Sequence, residues 1–479
     1  VILALLVVVP AVCGLVALRV ESVRIDMGIL LGAALFHACV TAALWAGALD
    51  AAALGSVLRL DVAGLLFLSI TSLLFLVVGL YSIPYILGET HDPQAAPHRF
   101  VPCLLWFLSA MTLVTVAHNL AVLWAAVEAT TLASAPLVYF YNRKAALEAT
   151  WKYLLVCSVG IALALLGTFF LGIAASAVHG AAPDLTLEQL TAAAPSMPRA
   201  WLKAAFVLAL VGYGTKMGLA PMHTWLPDTH SQAPSPVSAL LSGALLNCAL
   251  LAILRFYQVC LASGDAAFAR SLLLVLGFLS LAVACVFMVR QRDYKRLLAY
   301  SSIENMGIVT IGIGAGGAAT YGALLHAVNH SLCKAGLFML AGNVLRAFGT
   351  TTVADVRGVL RRLPVSGVLL VALLLAIGGT PPFGPFVSEL LIFRSTMAGP
   401  SAWMGVMFVV LLAAAFIGMA SVLLPMVQGE PLEARPRPKE ALLSVGSPAL
   451  LAAGVLVLGS YVPPFLARAL VAAAHAMGG

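Results

Sequence analysis

The stretch "HAVNHSLCK" carries His326, His330 and Lys334 at i, i+4 and i+8, positions that one helix face collects. Imidazoles and an ammonium in a row can hand protons along a helix. Histidines at i and i+4 are also a zinc spacing, but no third ligand or HExxH-type base accompanies them. Plain packing is the remaining reading. A second group surrounds "KMGLAPMHTWLPDTH", where Lys216 stands five residues before Pro221. A desolvated lysine loses pKa and a nearby carboxylate restores it. Glu128, in "LWAAVEATTLASAP", is the carboxylate expected to face it, so that moving the two apart would release a proton. Glu389 follows "TPPFGPFVS" by one residue and is the counterpart of Lys216 at a second proline-rich stretch.

Further titratable residues surround these. Lys152 either acts with the group or snorkels to the cytoplasmic interface. Glu304 lies in "SSIEN". His223, Asp228 and His230 are placed to line an aqueous mouth, although Asp228 and His230 fit simple loop solvation almost as well. Lys295, in "DYKRLLAYSS", is either part of that mouth or an interface anchor. Arg394 either pairs with Glu389 or anchors its helix. Lys203 reads as a snorkelling charge.

The elements that hold these residues are apolar. The chain is 62% hydrophobic and 9% charged, against about 25% charged in a soluble domain. That composition implies an integral membrane protein. The net charge of +7 sits in short loops between apolar runs and does not point to nucleic acid. The eight cysteines form no close pair, so they read as small apolar helix residues, and neither an iron–sulfur nor a zinc site is expected. Against that background, Glu128, Lys152, Lys216, Glu304, His326, His330, Lys334 and Glu389 fall inside spans. Each costs at least about 3 kcal/mol at bilayer depth, and eight such groups are more than a structural clamp needs.

A bilayer core of about 30 Å takes roughly 20 apolar residues per helix. Such runs centre near residues 10, 38, 74, 109, 130, 163, 213, 247, 279, 305, 332, 380, 414 and 458, which predicts about fourteen transmembrane helices. The opening run lacks a basic leader region and reads as the first span, with an initiator methionine expected to precede Val1. Segment 180–199 is predicted to hold a short surface helix. With alternating spans, Arg143, Arg290, Arg292, Lys295, Arg296, Arg346, Arg435, Arg437 and others share one side, and a smaller set including Arg59, Arg255 and Arg270 shares the other. The richer side is expected in the cytoplasm, with both termini outside.

Spans 7 and 12 look broken, at "GLAPMHTWLP" and "GGTPPFGPFVSE". Proline removes a helix hydrogen bond and clashes with the preceding turn, and bare backbone survives at membrane depth only where protein or water faces it. The breaks lie five spans apart, and an odd offset turns one copy over relative to the other. The expected architecture is therefore all-α, with inverted five-helix repeats at spans 4–8 and 9–13. The corresponding segments are 1–99, 100–262, 263–428 and 429–479.

The stretches "KMGLAPMHTWLPDTHSQAPSPVSALLSG", "DYKRLLAYSSIENMGI", "HAVNHSLCKAGLF" and "TPPFGPFVSELLIF" resemble the antiporter-like subunits of respiratory complex I, group 4 membrane-bound hydrogenases and Mrp-type antiporters. The resemblance spans about 60–430, and "SALLSGALLNCALLAILRF" and "SSIEN" look closest to the hydrogenase-4 component F type. The resemblance implies that Glu128 is the carboxylate of span 5, Lys216 the lysine of span 7, and Glu389 the terminal group of span 12. His326, His330 and Lys334 would belong to a central polar axis. Two positions depart from the pattern. Many relatives have a lysine where this chain has Asn247 and a histidine where it has Asn305, and asparagine cannot carry a proton by titration.

The resulting expectation is a proton-translocating subunit of a multisubunit redox complex in a prokaryotic inner membrane. The chain itself would carry no redox centre and bind no cofactor. Nickel–iron and iron–sulfur centres would sit in partners, which are other membrane subunits and a soluble redox arm. Three rivals remain: an Mrp-type sodium/proton antiporter subunit, a module energising inorganic-carbon uptake, and a structural anchor whose proton path is broken at the asparagines.

Overall fold

In lipid, a spanning backbone must satisfy its own hydrogen bonds, and the apolar runs of this chain do so as α-helices. The computed structural model describes residues 1–49, 54–89, 95–180, 184–398, 402–430 and 438–479. Arg435 and Arg437 of the charge count lie outside the described residues. Three helices lead: α1 (Ile2–Ala17), α2 (Val23–Trp45) and α3 (Val62–Glu89). Next come α4 (Pro97–Val116), α5 (Leu120–Val138), α6 (Lys144–His179), α7 (Leu187–Ala193), α8 (Arg199–Met217), α9 (Trp225–Gln232), α10 (Ser235–Leu240) and α11 (Leu246–Ala262). A π-helical turn at Leu241–Leu245 joins the last two. The second half holds α12 (Ala266–Met288), α13 (Tyr294–Ala315), α14 (Ala318–Phe348), α15 (Val359–Arg362), α16 (Pro364–Ile377), α17 (Gly384–Ala398) and α18 (Trp403–Gln428). The chain closes with α19 (Leu442–Ser460) and α20 (Pro464–Ala476).

Among the described residues, ten helices are long and apolar enough to cross a membrane. α1 is only 16 residues long. α8 and α14 have the length but spend apolar positions on lysine, histidine and asparagine. The run centred near 380 falls in the gap between α16 and α17. The run centred near 458 resolves into α19 and α20, because Pro463 and Pro464 interrupt it. The short helix expected within 180–199 is α7, whose first turn Thr186 caps through the Gln189 amide at 3.4 Å.

The interior is apolar, as in a soluble protein, but the outer surface is apolar too and a few charged groups lie inside. Leu155, Val159, Val275, Val286, Val410 and Ile417 point outward, while lysines and histidines are buried. Helices approach closely at small residues. A Cβ on Gly212 of α8 would come within 2.5 Å of the Gly160 carbonyl on α6, and one on Gly307 of α13 within 2.8 Å of the Gly277 carbonyl on α12. α14 is the central helix, packed against α3, α10, α13, α16, α17, α19 and α20. One end of the molecule gathers the start of α1, where Leu3 packs on Leu58 and Val116, and the end of α20, where Arg270 donates to the Gly478 carbonyl at 3.1 Å. Arg255 pairs with Asp61 at that same end.

Candidate functional site

The first break begins earlier than proline alone implies. α8 stops at Met217 because Gly218 takes φ +83°, a conformation glycine adopts without penalty. The freed backbone finds partners: Trp225 Nε1 donates to the Thr215 carbonyl at 2.8 Å, and the Ala220 amide donates to Ser280 Oγ at 2.9 Å. Lys216 thus sits in the last helical turn, where the helix dipole favours a cation, and it is fully buried. Its Nζ donates to Thr131 Oγ1 at 2.6 Å and to the Tyr153 hydroxyl at 2.8 Å. Thr131 in turn donates to Glu128 Oε2 at 3.3 Å, and Ser158 donates to Oε1 at 3.0 Å. Glu128 and Lys216 therefore face each other through one hydroxyl. Tyr153 continues the network to Ser134 at 2.7 Å.

The mouth residues separate into a surface pair and an interior set. Asp228, on α9, accepts from Lys152 at 3.2 Å and from Arg296 at 2.5 Å, tying α9 to α6 and α13. Lys152 is half exposed and also pairs with Glu148 at 2.6 Å. His223 is buried beside Phe287 and Tyr300, and its Nδ1 has no partner. His230 is fully buried, stacked on Phe338 at 4.6 Å, with both ring nitrogens unpartnered. It therefore lies behind the surface, not at an open mouth. Lys295 is also buried and donates to the Ala233 carbonyl at 2.5 Å, which an exposed anchor would not do. Its side chain borders a cavity of about 520 Å³ shared with Arg143, Ser231, Gln232, Arg346 and Thr351. Lys203 is 39% exposed and 3.3 Å from Asp265, as a snorkelling side chain would be.

The central row lies along α14. His326, His330 and Lys334 are all fully buried, yet none bonds to another. His326 reaches Asn305 and Ser388, Lys334 donates to the Leu298 carbonyl at 3.0 Å, and the His330 ring has no partner. A shared helix face brings these side chains into one row without linking them directly. Glu304 Oε2, Asn247 Oδ1 and both amide atoms of Asn329 are also buried and unpartnered. Buried polar atoms are bonded in the great majority of cases, by ordered water where protein is lacking. Their concentration on facing sides of α11, α13 and α14 marks a polar line between the two breaks. Asn247 Nδ2 donates to Ser331 Oγ at 2.7 Å, just after the π-helical turn, where Ser242 meets Ser302 at 2.8 Å.

Glu389 is buried on α17, and its carboxylate lies against Gly379, whose φ of +69° turns the chain after α16. A Cβ at Gly379 would collide with that carboxylate, and one at Gly384 would collide with Asn329. Arg394 is exposed and makes no ion pair with Glu389. Among the described residues, no group of three or more His, Cys, Asp or Glu side chains is placed to hold a metal ion.

Sequence reading passed over Thr131, Tyr153, Ser158, Asn329 and Ser388. Thr131 had a signal, since it falls one turn after Glu128 on the same face. The others are ordinary helix residues until tertiary packing assigns their neighbours. The same holds for His37 of α2, buried between Ser72 and Thr112 at 2.9 Å from each.

Residues 117–418 match the family described as NADH:quinone oxidoreductase/Mrp antiporter, TM. The chain is 36% identical over 421 residues to a hydrogenase-4 component F homolog from Methylacidiphilum infernorum, covering 86% of each sequence. Its fold is similar to a chain of the membrane-bound sulfane sulfur reductase, an archaeal respiratory membrane complex, with a TM-score of 0.89 at 20% identity over 99% of this chain and 97% of that one. It is also similar to a chain of respiratory complex I from Thermus thermophilus, with a TM-score of 0.83 at 22% identity over the full length of both.

Proposed function

The chain belongs to the NADH:quinone oxidoreductase/Mrp antiporter membrane family, and we propose that it translocates protons as a membrane subunit of a hydrogenase-4 or complex I type redox complex. The observation that carries this reading is Lys216: a fully buried ammonium at a helix break, joined to Glu128 through the Thr131 hydroxyl. Neutral hydroxyls hold the lysine nearby while its carboxylate stays one step away. A small movement of α5 against α8 changes the electrostatic support of the ammonium, and with it the proton's hold.

Protons enter past Asp228 and the cavity at Lys295, pass between Glu128 and Lys216, load the line formed by His230, Glu304, His330 and Lys334, and leave near Glu389. Water bridges the segments at Asn247 and Asn329, where amide atoms await partners. In this reading α1, α8–α9, α14 and α16–α17 also cross the membrane, which gives fourteen spans, with α20 packed against α3 and α14. Spans 4–8 and 9–13 form the inverted repeats, and residues 1–99 and 429–479 flank them. Both termini face outward across a prokaryotic inner membrane. The chain binds no cofactor, and redox energy arrives from nickel–iron and iron–sulfur centres of a soluble arm through neighbouring membrane subunits.

The test is proton uptake by vesicles carrying the intact complex, started by its electron donor, with Glu128→Gln beside wild type. Loss of uptake with the complex still assembled supports the reading. Unchanged uptake removes Glu128 from the path.

A further inference from the structure

We infer that Asn305 is a positioning residue that makes His326 a one-edged proton site, exchanging its proton only at Nδ1, through Ser388. The inference deepens the translocation reading and rests on it for its role, but the geometry stands without it. Asn305 Nδ2 lies 2.7 Å from the Ser301 carbonyl. Only the amide nitrogen can face a carbonyl oxygen, so Oδ1 is the atom turned to His326, 3.0 Å from Nε2. Oδ1 accepts and never donates. Nε2 therefore carries hydrogen, whether the ring is neutral or charged.

The other ring edge is open to exchange. Nδ1 lies 2.9 Å from Ser388 Oγ, and the same oxygen is 2.9 Å from the Pro385 carbonyl and 3.3 Å from that of Gly384. One hydroxyl rotation satisfies both states of the ring. In the neutral ring, Ser388 donates to Nδ1. In the charged ring, Nδ1–H donates to Oγ, and the hydroxyl turns to Pro385. Loading is a concerted shift. An arriving hydronium gives its proton to Oγ as the original Oγ–H bond breaks and the Nδ1–H bond forms, leaving water, a serine hydroxyl and an imidazolium. Unloading is the reverse. No proton passes through Nε2, because the amide beyond it has no low-energy protonated form to relay one.

His326 is thus a store reached from the α17 side, next to Glu389, and not a link in a wire running down α14. A histidine in place of Asn305 would offer a second titrating ring and open the Nε2 edge. Other titratable groups on the surrounding helices include Glu304, Lys295 and Tyr300 on α13, His330, Cys333 and Lys334 on α14, and Glu389 on α17.

The test uses the full chain in its complex, reconstituted in lipid with 15N-labelled histidine. Solid-state NMR spectra of wild type and His326→Gln are subtracted to isolate the His326 signal. The expected signal has a protonated Nε2 at every pH, with only Nδ1 gaining a proton in acid. A bare Nε2 overturns the proposal. This readout needs no transport, so it separates the proposal from the translocation reading. On the transport side, Ser388→Ala should slow proton uptake about tenfold, the loss of one hydrogen-bonded relay, and Ser388→Thr should restore it. Equal losses in both variants would overturn the Ser388 route, since packing alone would then explain the serine.

Discussion

Lys216 and Glu128 meet on a single hydroxyl, that of Thr131, 2.6 Å from the ammonium and 3.3 Å from the carboxylate. A direct ion pair would hold the lysine charge firmly. A neutral intermediary leaves it only partly supported, which is the condition under which a small shift can move a proton. Thr131→Val keeps the shape and removes the hydroxyl. A hydrogen bond to a charged group is worth about 1.5–3 kcal/mol, so proton uptake should fall roughly 10- to 100-fold. Thr131→Ser should recover most of it. Both are read from vesicle uptake at equal complex content.

Asp228 holds α9 between Lys152 and Arg296. These pairs are partly exposed and individually weak. Asp228→Asn releases both at once. Hydrogen exchange across Trp225–Gln232 should then quicken several-fold, while α8 and α10 keep their wild-type rates. Unchanged exchange would show that the break is held by its backbone partners alone.

Asn247 Oδ1 and the Asn329 amide are buried without protein partners. A high-resolution map of the intact complex should show ordered water bonded to each. Dry, apolar surroundings at both positions would favour the reading in which the chain is an anchor with a broken path.

Arg255 forks onto Asp61 at 2.5 and 2.7 Å, just before α3. Burial works against the Asp61 carboxylate, but the Arg255 charge and the bonds from Arg255 and the Gly64 amide outweigh it and hold its pKa below the ordinary value. A lowered folded-state pKa favours the charged form. The stabilisation is therefore complete above the unfolded-state value of about 4 and is lost as pH falls through the folded-state value. Arg255→Gln should lower the stability near neutral pH by an amount on the order of 1 kcal/mol, since Asp61 is partly solvated, and this should appear as a lower melting temperature. The gap from wild type should narrow in strong acid.

Much of this site is legible in one sequence because charge in an apolar run has few explanations. Lys216, Glu128, His326, His330, Lys334 and Glu389 stand out for that reason, and all but Glu128, which is partly buried, prove buried. What stays hidden is whatever depends on a neighbour from another helix. Tyr153 and Ser388 look like ordinary helix residues, yet one holds the Lys216 ammonium and the other the His326 ring. Prolines overstated their part in the first break, where Gly218 ends the helix. Helical periodicity placed His326, His330 and Lys334 on one face but could not show that His326 turns away to Asn305 and Ser388. The π-helical turn before Asn247 has no signature in residue type, and two adjacent prolines divided a final apolar run that composition alone read as one span.

Lys216→Met tests the central claim most directly. Methionine keeps the length, removes the titrating group and is less costly to bury than a charge. Glu128 is only partly buried and keeps its bonds from Thr131 and Ser158, which limits the damage to the fold. The measurement is proton uptake per electron in vesicles containing equal amounts of wild-type or variant complex, with dye-linked electron transfer checked separately. The expected result is retained dye-linked activity with most of the proton uptake lost. An unchanged ratio of protons to electrons would take Lys216 off the proton path and leave its hydrogen bonds a purely structural role.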